Sequence, residues 1–252
     1  MQLTVCTGFS PGGYGEYGRQ FLARFDAFWP HDTGLVYYTE QAVAAPRGEC
    51  RDLWACDGAR QFMARHGDRP EARGLKPVPG WRPKDRDRGY SYRFDAVKFF
   101  KQMLIPHDAA QRLPDGAILC WLDADVMTLS RVPDGFIAAL VGGAQMVYLG
   151  RDGYHSEIGF WAVRLDPQTR AALRGMADLY AGDGIFELPE WHSAFAFDFQ
   201  RKKFAAAGGT VTNLTPGGRG HVWFASPLAK YTDHLKGGRK SLGRSPERDR
   251  KP

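Results

Sequence analysis

An α/β fold with a mostly parallel central sheet is what this sequence predicts, and three observations carry the prediction. Strand-like and helix-like segments alternate through the first 150 residues, the order that covers a parallel sheet with helices on both faces. AILCWLDADV (117–126) is almost continuously apolar before it ends in acids, as a strand buried on both faces must be. The helical segments near 17–29 and 92–105 each carry an apolar stripe, the face by which a helix packs on a core.

The elements follow in order. LTVCTGF (3–9) reads as a strand, and a Gly/Pro-rich turn leads to a helix from about Tyr17 to Trp29 with Phe21, Leu22, Phe25 and Phe28 on one face. GLVYYTE (34–40) is a second strand and residues 52–66 a second helix. Residues 67–91 are rich in Pro, Gly and charge and lack periodicity, which predicts a long mobile loop or lid. Phe94, Val97, Phe100 and Leu104 restore helical spacing over 92–105. After the apolar strand come a helix near 134–141, strands at 145–149 and 157–165, a helix at 167–181 and a last strand near 210–214. At 252 residues the chain is long enough for a sizeable core. One domain is expected over 1–240, with 241–252 as a basic, disordered tail.

Composition excludes some classes of protein. No apolar run approaches the roughly eighteen residues a membrane span needs, and the first residues lack the basic start of a signal peptide. Cys6, Cys50, Cys56 and Cys120 form no C-x-x-C pair, and Cys6 and Cys120 lie in apolar strands, so free thiols in a reduced cytoplasm are expected. The net charge is +6, of which residues 236–252 supply +5 (seven Lys/Arg against Glu247 and Asp249). The rest of the chain is close to neutral, so basicity alone does not mark a nucleic-acid binder.

Three constellations can carry chemistry. GYGEYG (13–18) satisfies G-x-G-x-x-G after a strand, with Glu40 ending the next strand. That is the pattern of a dinucleotide site with its ribose-binding acid, although SPGG separates the first glycine from the strand. The second is LDADV (122–126). Asp123 and Asp125 stand one residue apart at the carboxyl end of a hydrophobic strand, where open α/β sheets bind ligands. Two like charges so close are costly to desolvate, and a divalent cation removes the cost. Aspartate oxygens suit Mn²⁺ or Mg²⁺. The third is HLKGGRK (234–240). A neutral His234 can complete the coordination of such an ion, Gly237 and Gly238 let backbone approach a diphosphate, and Lys240 supplies positive charge.

Asp123-Ala124-Asp125 together with His234, Gly237 and Lys240 resembles the paired D-x-D and H-x-x-G-x-x-K motifs of GT-A glycosyltransferases, and among them the retaining family of glycogenin and bacterial galactosyltransferases. The resemblance spans most of the chain, but these two motifs carry its specificity. It implies a GT-A-like fold with a Rossmann-like N-terminal half, a nucleoside-diphosphate sugar donor, UDP-sugar favoured, and transfer to an acceptor hydroxyl. It further implies Mn²⁺ (or Mg²⁺) on Asp123, Asp125 and His234. Donor contacts would come from Thr7, Gly8, Tyr17, Glu40, Arg93, Lys98, Asp123, Ala124, Gly159, Gly237 and Lys240, with Gly159 in the strand beneath the sugar. Where the family has Pro-Trp after its lysine, this chain has Ser241-Leu242. Where the family opens a helix with Asp-Gln, this chain has LPEWHSAFAFDF (188–199), so Glu190, His192 and Asp198 are the catalytic candidates.

The acceptor is less defined. Residues 67–91 carry seven Lys/Arg against four acids, with Trp81, Tyr90 and Tyr92 nearby, which would suit a polyanion. Compact Arg-rich transferases of this kind also resemble phage-type enzymes that glycosylate hydroxymethylated pyrimidines in DNA, which would place this chain in a host cytoplasm. A glycan or lipid-linked acceptor fits as well. An NAD(P)-dependent oxidoreductase built on GYGEYG and Glu40, and a non-catalytic binding module, stand as readings of other classes.

Overall fold

The computed structural model describes residues 2–247. The sheet has seven strands: β1 (Leu3–Phe9), β2 (Gly34–Thr39), β3 (Glu49–Asp52), β4 (Ile118–Leu122), β6 (Met146–Leu149), β7 (Glu157–Arg164) and β8 (Val211–Asn213), while β5 (Val126–Thr128) and β9 (Thr232–His234) form a separate pair. The spatial order is β3-β2-β1-β4-β7-β6-β8. β1 lies parallel to both β2 and β4, and β7 runs antiparallel to its neighbours β4 and β6. The mostly parallel α/β sheet expected from the sequence is therefore observed.

Alternation along each strand divides the core into two. Ile118, Cys120 and Leu122 of β4 pack with Val5 and Phe160 against α1 (Arg19–Phe28) through Phe21, Leu22 and Phe25. Leu119 and Trp121 face the other way, onto a layer that includes α2 (Ala59–His66), α3 (Ala96–Ala110), α5 (Pro167–Ala181) and α6 (Ser193–Ala206); α4 (Phe136–Val141) lies on the α1 side. Asp166 starts α5 with a capping box, its carboxylate accepting from the Thr169 amide while the Thr169 hydroxyl accepts from the Asp166 amide. All four cysteines are free, and Cys6 and Cys120 are fully buried.

Several expectations need correction. Helical backbone begins at Pro11, capped by Ser10, and continues through a π-helical turn over Tyr14–Gly18 into α1. The glycines of GYGEYG therefore lie inside helix, with Gly13 and Gly18 in ordinary right-handed conformation, and no glycine turn is left to cradle a pyrophosphate. The first part of the expected second helix is instead β3 and a short 3₁₀ turn. Residues 67–91 contain the short helix Pro83–Asp87, with Trp81, Asp85 and Ser91 buried. The helix Arg239–Leu242 runs into the start of the expected tail, and buried Ser245 donates to the Asp233 carboxylate from its amide (2.8 Å) and hydroxyl (2.6 Å). Residues 248–252, the rest of that tail, lie outside the described residues.

Candidate active site

The acidic pair stands where the chain leaves β4. The Asp123 amide still donates to Gly159 in β7 (2.9 Å), after which the backbone turns through Ala124 into β5. β5 pairs antiparallel with β9, setting Val126 opposite His234, and the Leu235 amide donates to the Asp125 carbonyl (3.0 Å). This pairing brings together two motifs separated by about a hundred residues of chain.

The His234 ring lies between carboxylates. Its Nε2 is 3.1 Å from Asp125 Oδ1 and 3.7 Å from Asp123 Oδ2, and its Nδ1 is 3.6 Å from Glu157 Oε1. Lys240 Nζ reaches Asp125 Oδ2 at 3.1 Å and lies 4.3 Å from the centre of the Tyr17 ring. Asp123 accepts from the Trp121 indole (2.8 Å) and from Gln102 Nε2 (3.2 Å). Glu157 is only 1% exposed, with Lys236 and Arg151 on its rim. A small cleft lies between Tyr17, Asp125 and Lys240.

The electrostatics follow from this crowding. Burial, and then the neighbouring Asp125 carboxylate, push Asp123 above the usual carboxylate range. Burial also opposes ionisation of Asp125, but His234 and Lys240 outweigh it and hold Asp125 well below the usual carboxylate range. His234 is raised because Asp125 and Glu157 outweigh its burial. Tyr17 is pushed up to about 12 by burial and by both aspartates.

These residues fit a divalent cation. One oxygen each from Asp123 and Asp125 and one nitrogen of His234 lie within 4.8 Å of one another. The buried Nδ1 of His234 makes no hydrogen bond among the described residues, yet it faces the Glu157 carboxylate. An imidazole that offers one nitrogen to a metal and turns the other toward a carboxylate is the usual arrangement around a bound ion. Gly159 is required here for space, since a Cβ at that position would stand 2.5 Å from His234 Cε1.

A second cluster lies at the start of α6. Glu190 Oε1 takes Arg93 at 2.7 Å, and Oε2 faces His192 Nε2 at 2.8 Å and His155 Nε2 at 3.3 Å. Asp198 accepts from the Ser156 amide (2.9 Å) and hydroxyl (2.5 Å) and from Arg201 (3.0 Å), and its Oδ2 is 3.8 Å from His155 Nδ1. Hydrogen bonds to Asp198 and Glu190 raise His155 to about 9, whereas burial lowers His192. Burial works against the charge on Glu190, but His155, His192 and Arg93 keep it well below the ordinary range. Gln102 connects the two clusters, donating to Asp123 and accepting from the Ser193 hydroxyl.

No protein-family model and no curated protein matches the chain. Solved structures do. A glycosyltransferase involved in the glycosylation of the major capsid of PBCV-1 is 12% identical with a TM-score of 0.49, covering 99% of this chain and 97% of that one. Mouse xyloside xylosyltransferase 1 is 8% identical with a TM-score of 0.43, covering 85% of each chain. The glycosyltransferase GlyE of Streptococcus pneumoniae TIGR4 is 8% identical with a TM-score of 0.45, covering 85% of this chain and 45% of that one.

The sequence-derived residues separate by place. Asp123, Ala124, Asp125, Tyr17, Gly159, His234 and Lys240 converge on the first cluster; Arg93, Glu190, His192 and Asp198 build the second. Gly237 takes the left-handed conformation (φ 62°) that turns the chain toward Lys240. Others have different surroundings. Thr7 is fully buried, Gly8 leaves room for the Ile105 side chain, and Glu40 is paired with Lys101. Lys98 is exposed over the Phe99 ring, which packs on His192 rather than on the acidic pair. Sequence reasoning missed Gln102, His155 and Glu157. Glu157 carried the signal already used for the aspartates, an acid in an otherwise apolar strand.

Proposed function

We propose that the protein is a metal-dependent glycosyltransferase that moves a sugar from a nucleoside-diphosphate sugar to an acceptor hydroxyl. One observation carries the reading. The D-x-D carboxylates and the imidazole and lysine of H-x-x-G-x-x-K meet at one half-buried point, held there by the β5–β9 pair. Neither an oxidoreductase nor a passive binding module needs that convergence. The oxidoreductase reading also loses its own support, because the GYGEYG glycines are helical and Glu40 is paired with Lys101.

Asp123, Asp125 and His234 would hold Mn²⁺ or Mg²⁺, which when bound supplies Lewis-acid charge to a departing diphosphate. The chain's own residues do the rest. Lys240 turns from Asp125 to the diphosphate, adding positive charge where the leaving group becomes more negative. Tyr17, beside Lys240, borders the donor cleft. Glu190, His192 and Asp198 stand on the acceptor side, where an array of fixed carboxylates and imidazoles can orient a hydroxyl. Gln102 ties the two sides together, so donor and acceptor are positioned by one framework.

The charge distribution favours a polyanionic acceptor. Arg82, Lys84, Arg86 and Arg88 are all exposed around the helix Pro83–Asp87. That segment is tied to the site through Arg93, which donates to the Gly80 carbonyl (3.0 Å) as well as to Glu190. DNA bearing a hydroxymethylated pyrimidine is a polyanion with the required hydroxyl, exposed once the base is flipped out. Among the described residues no helix is long and apolar enough to cross a membrane.

The test is a thermal-shift panel of UDP-sugars, other nucleotide sugars and NAD(P), each with and without Mn²⁺. A ligand held by the native state raises its melting temperature, by mass action. Stabilisation by a nucleotide sugar only in the presence of Mn²⁺ is expected. Stabilisation by NAD(P) without metal, and by no nucleotide sugar, would overturn the reading.

A further inference from the structure

The second cluster has the ligand chemistry of an ion site of its own. Glu190 divides its two oxygens: Oε1 is taken by Arg93, and Oε2 is left facing the Nε2 atoms of both His155 and His192. One atom from each of the three residues lies within 4.8 Å of the others. His155 turns its other nitrogen toward Asp198, a carboxylate already fixed by Ser156 and Arg201. Such an outer carboxylate sets the tautomer and direction of a ligating imidazole. Tyr92 and Phe99 pack against the His192 ring at 5.5 and 6.1 Å and wall one side, while the His155 side chain is 34% exposed and leaves the other side open.

We propose that His155, His192 and Glu190 form a second cation site, selective for a zinc-like ion, whose open position takes an oxygen ligand such as a hydroxyl. The donor set decides the ion. Two imidazoles and one carboxylate suit Zn²⁺ with three protein ligands and one free position, whereas two carboxylates and one imidazole suit the harder Mn²⁺ or Mg²⁺. The two imidazole–carboxylate separations compare closely with this: zinc bonds of ~2.0 Å in a tetrahedron put neighbouring ligands about 3.3 Å apart. The His155–Glu190 separation is 3.3 Å, and the His192–Glu190 hydrogen bond of 2.8 Å opens by about half an ångström when the ion replaces it. A hydroxyl on such an ion is more acidic than a free one, which is what an acceptor needs at the moment of attack.

The experiment uses the full chain stripped with a chelator and no nucleotide sugar, so its outcome does not depend on the transferase reading. Zn²⁺ is titrated by calorimetry with metal content checked by elemental analysis, and Co²⁺ is titrated by visible absorption. The wild type should bind Zn²⁺ and give the intense d–d bands of tetrahedral Co²⁺. His155→Gln, at a half-exposed position, should keep its circular dichroism yet lose this site, with Zn²⁺ affinity down at least about tenfold. Asp125→Ala, which disrupts the first site, should retain the tetrahedral Co²⁺ bands. Unchanged zinc stoichiometry and cobalt spectrum in His155→Gln, or loss of the cobalt bands in Asp125→Ala alone, would overturn the proposal.

Discussion

At the scale of single residues, the two aspartates of the D-x-D motif are not equivalent. The Asp125 side chain bonds His234 and Lys240, and its charge repels the neighbouring Asp123 carboxylate. The Asp125 backbone carbonyl, which holds Leu235, is untouched by substitution. Asp125→Ala should therefore abolish transfer and weaken Mn²⁺ binding about ten- to a hundredfold or more, with the melting temperature of the free protein little changed. Asp123 also accepts the indole N–H of the buried Trp121. Asp123→Ala leaves that donor without a partner, at a cost of about 1–3 kcal/mol, so it should lose stability as well as activity. Calorimetric Mn²⁺ titration and thermal melts of the two variants separate these effects. An Asp125→Ala protein with full Mn²⁺-dependent turnover would remove the metal site from the account.

At the scale of elements, the site depends on a strand of three residues. β9 contributes His234 and is held to β5 by its ladder and to the following segment by Asp233, which is fully buried and bonded twice by Ser245. Ending the chain after Glu247 should leave donor hydrolysis intact. Ending it after Arg244 removes both Ser245 bonds to a buried carboxylate, which should lower the melting temperature and the activity together. Ending it after Asp233 removes His234 and Lys240 and should abolish turnover. Normal turnover by the shortest chain would show that the C-terminal motif is no part of the site. Here the limit of the sequence is physical. The carboxyl end of β4 was legible because acids after a buried apolar run are rare for energetic reasons. β9 was not, because three residues are too few to show an alternating pattern. The helical state of GYGEYG was hidden because glycine spacing reads the same in a turn and in a helix. Gln102 and His155 could not be found from local pattern at all, since their partners Ser193 and Glu190 lie far along the chain.

For the whole molecule, the open question is where its charge acts. The net charge of +6 is concentrated toward the C-terminus, while the exposed Arg82, Lys84, Arg86 and Arg88 stand on a segment tethered to the site by Arg93. If these four side chains meet phosphates of a polyanionic acceptor, each contact releases a counterion and contributes about 0.9 to the slope of log affinity against log salt for duplex DNA. The combined substitutions Arg82→Gln, Lys84→Gln, Arg86→Gln and Arg88→Gln should then weaken acceptor binding and flatten that slope by roughly three to four. Donor hydrolysis should be unaffected, because the cleft proposed for the donor lies between Tyr17, Asp125 and Lys240. Stability should also hold, since exposed substitutions away from packed or bonded features cost within about 0.5 kcal/mol. Removing residues 248–252 in the same background tests the basic end separately. A slope that stays the same in every variant would assign the charge to solubility and leave a neutral glycan or lipid-linked sugar as the acceptor. A slope that falls only when 248–252 are removed would instead place the polyanion against the chain's end, away from the segment that Arg93 anchors.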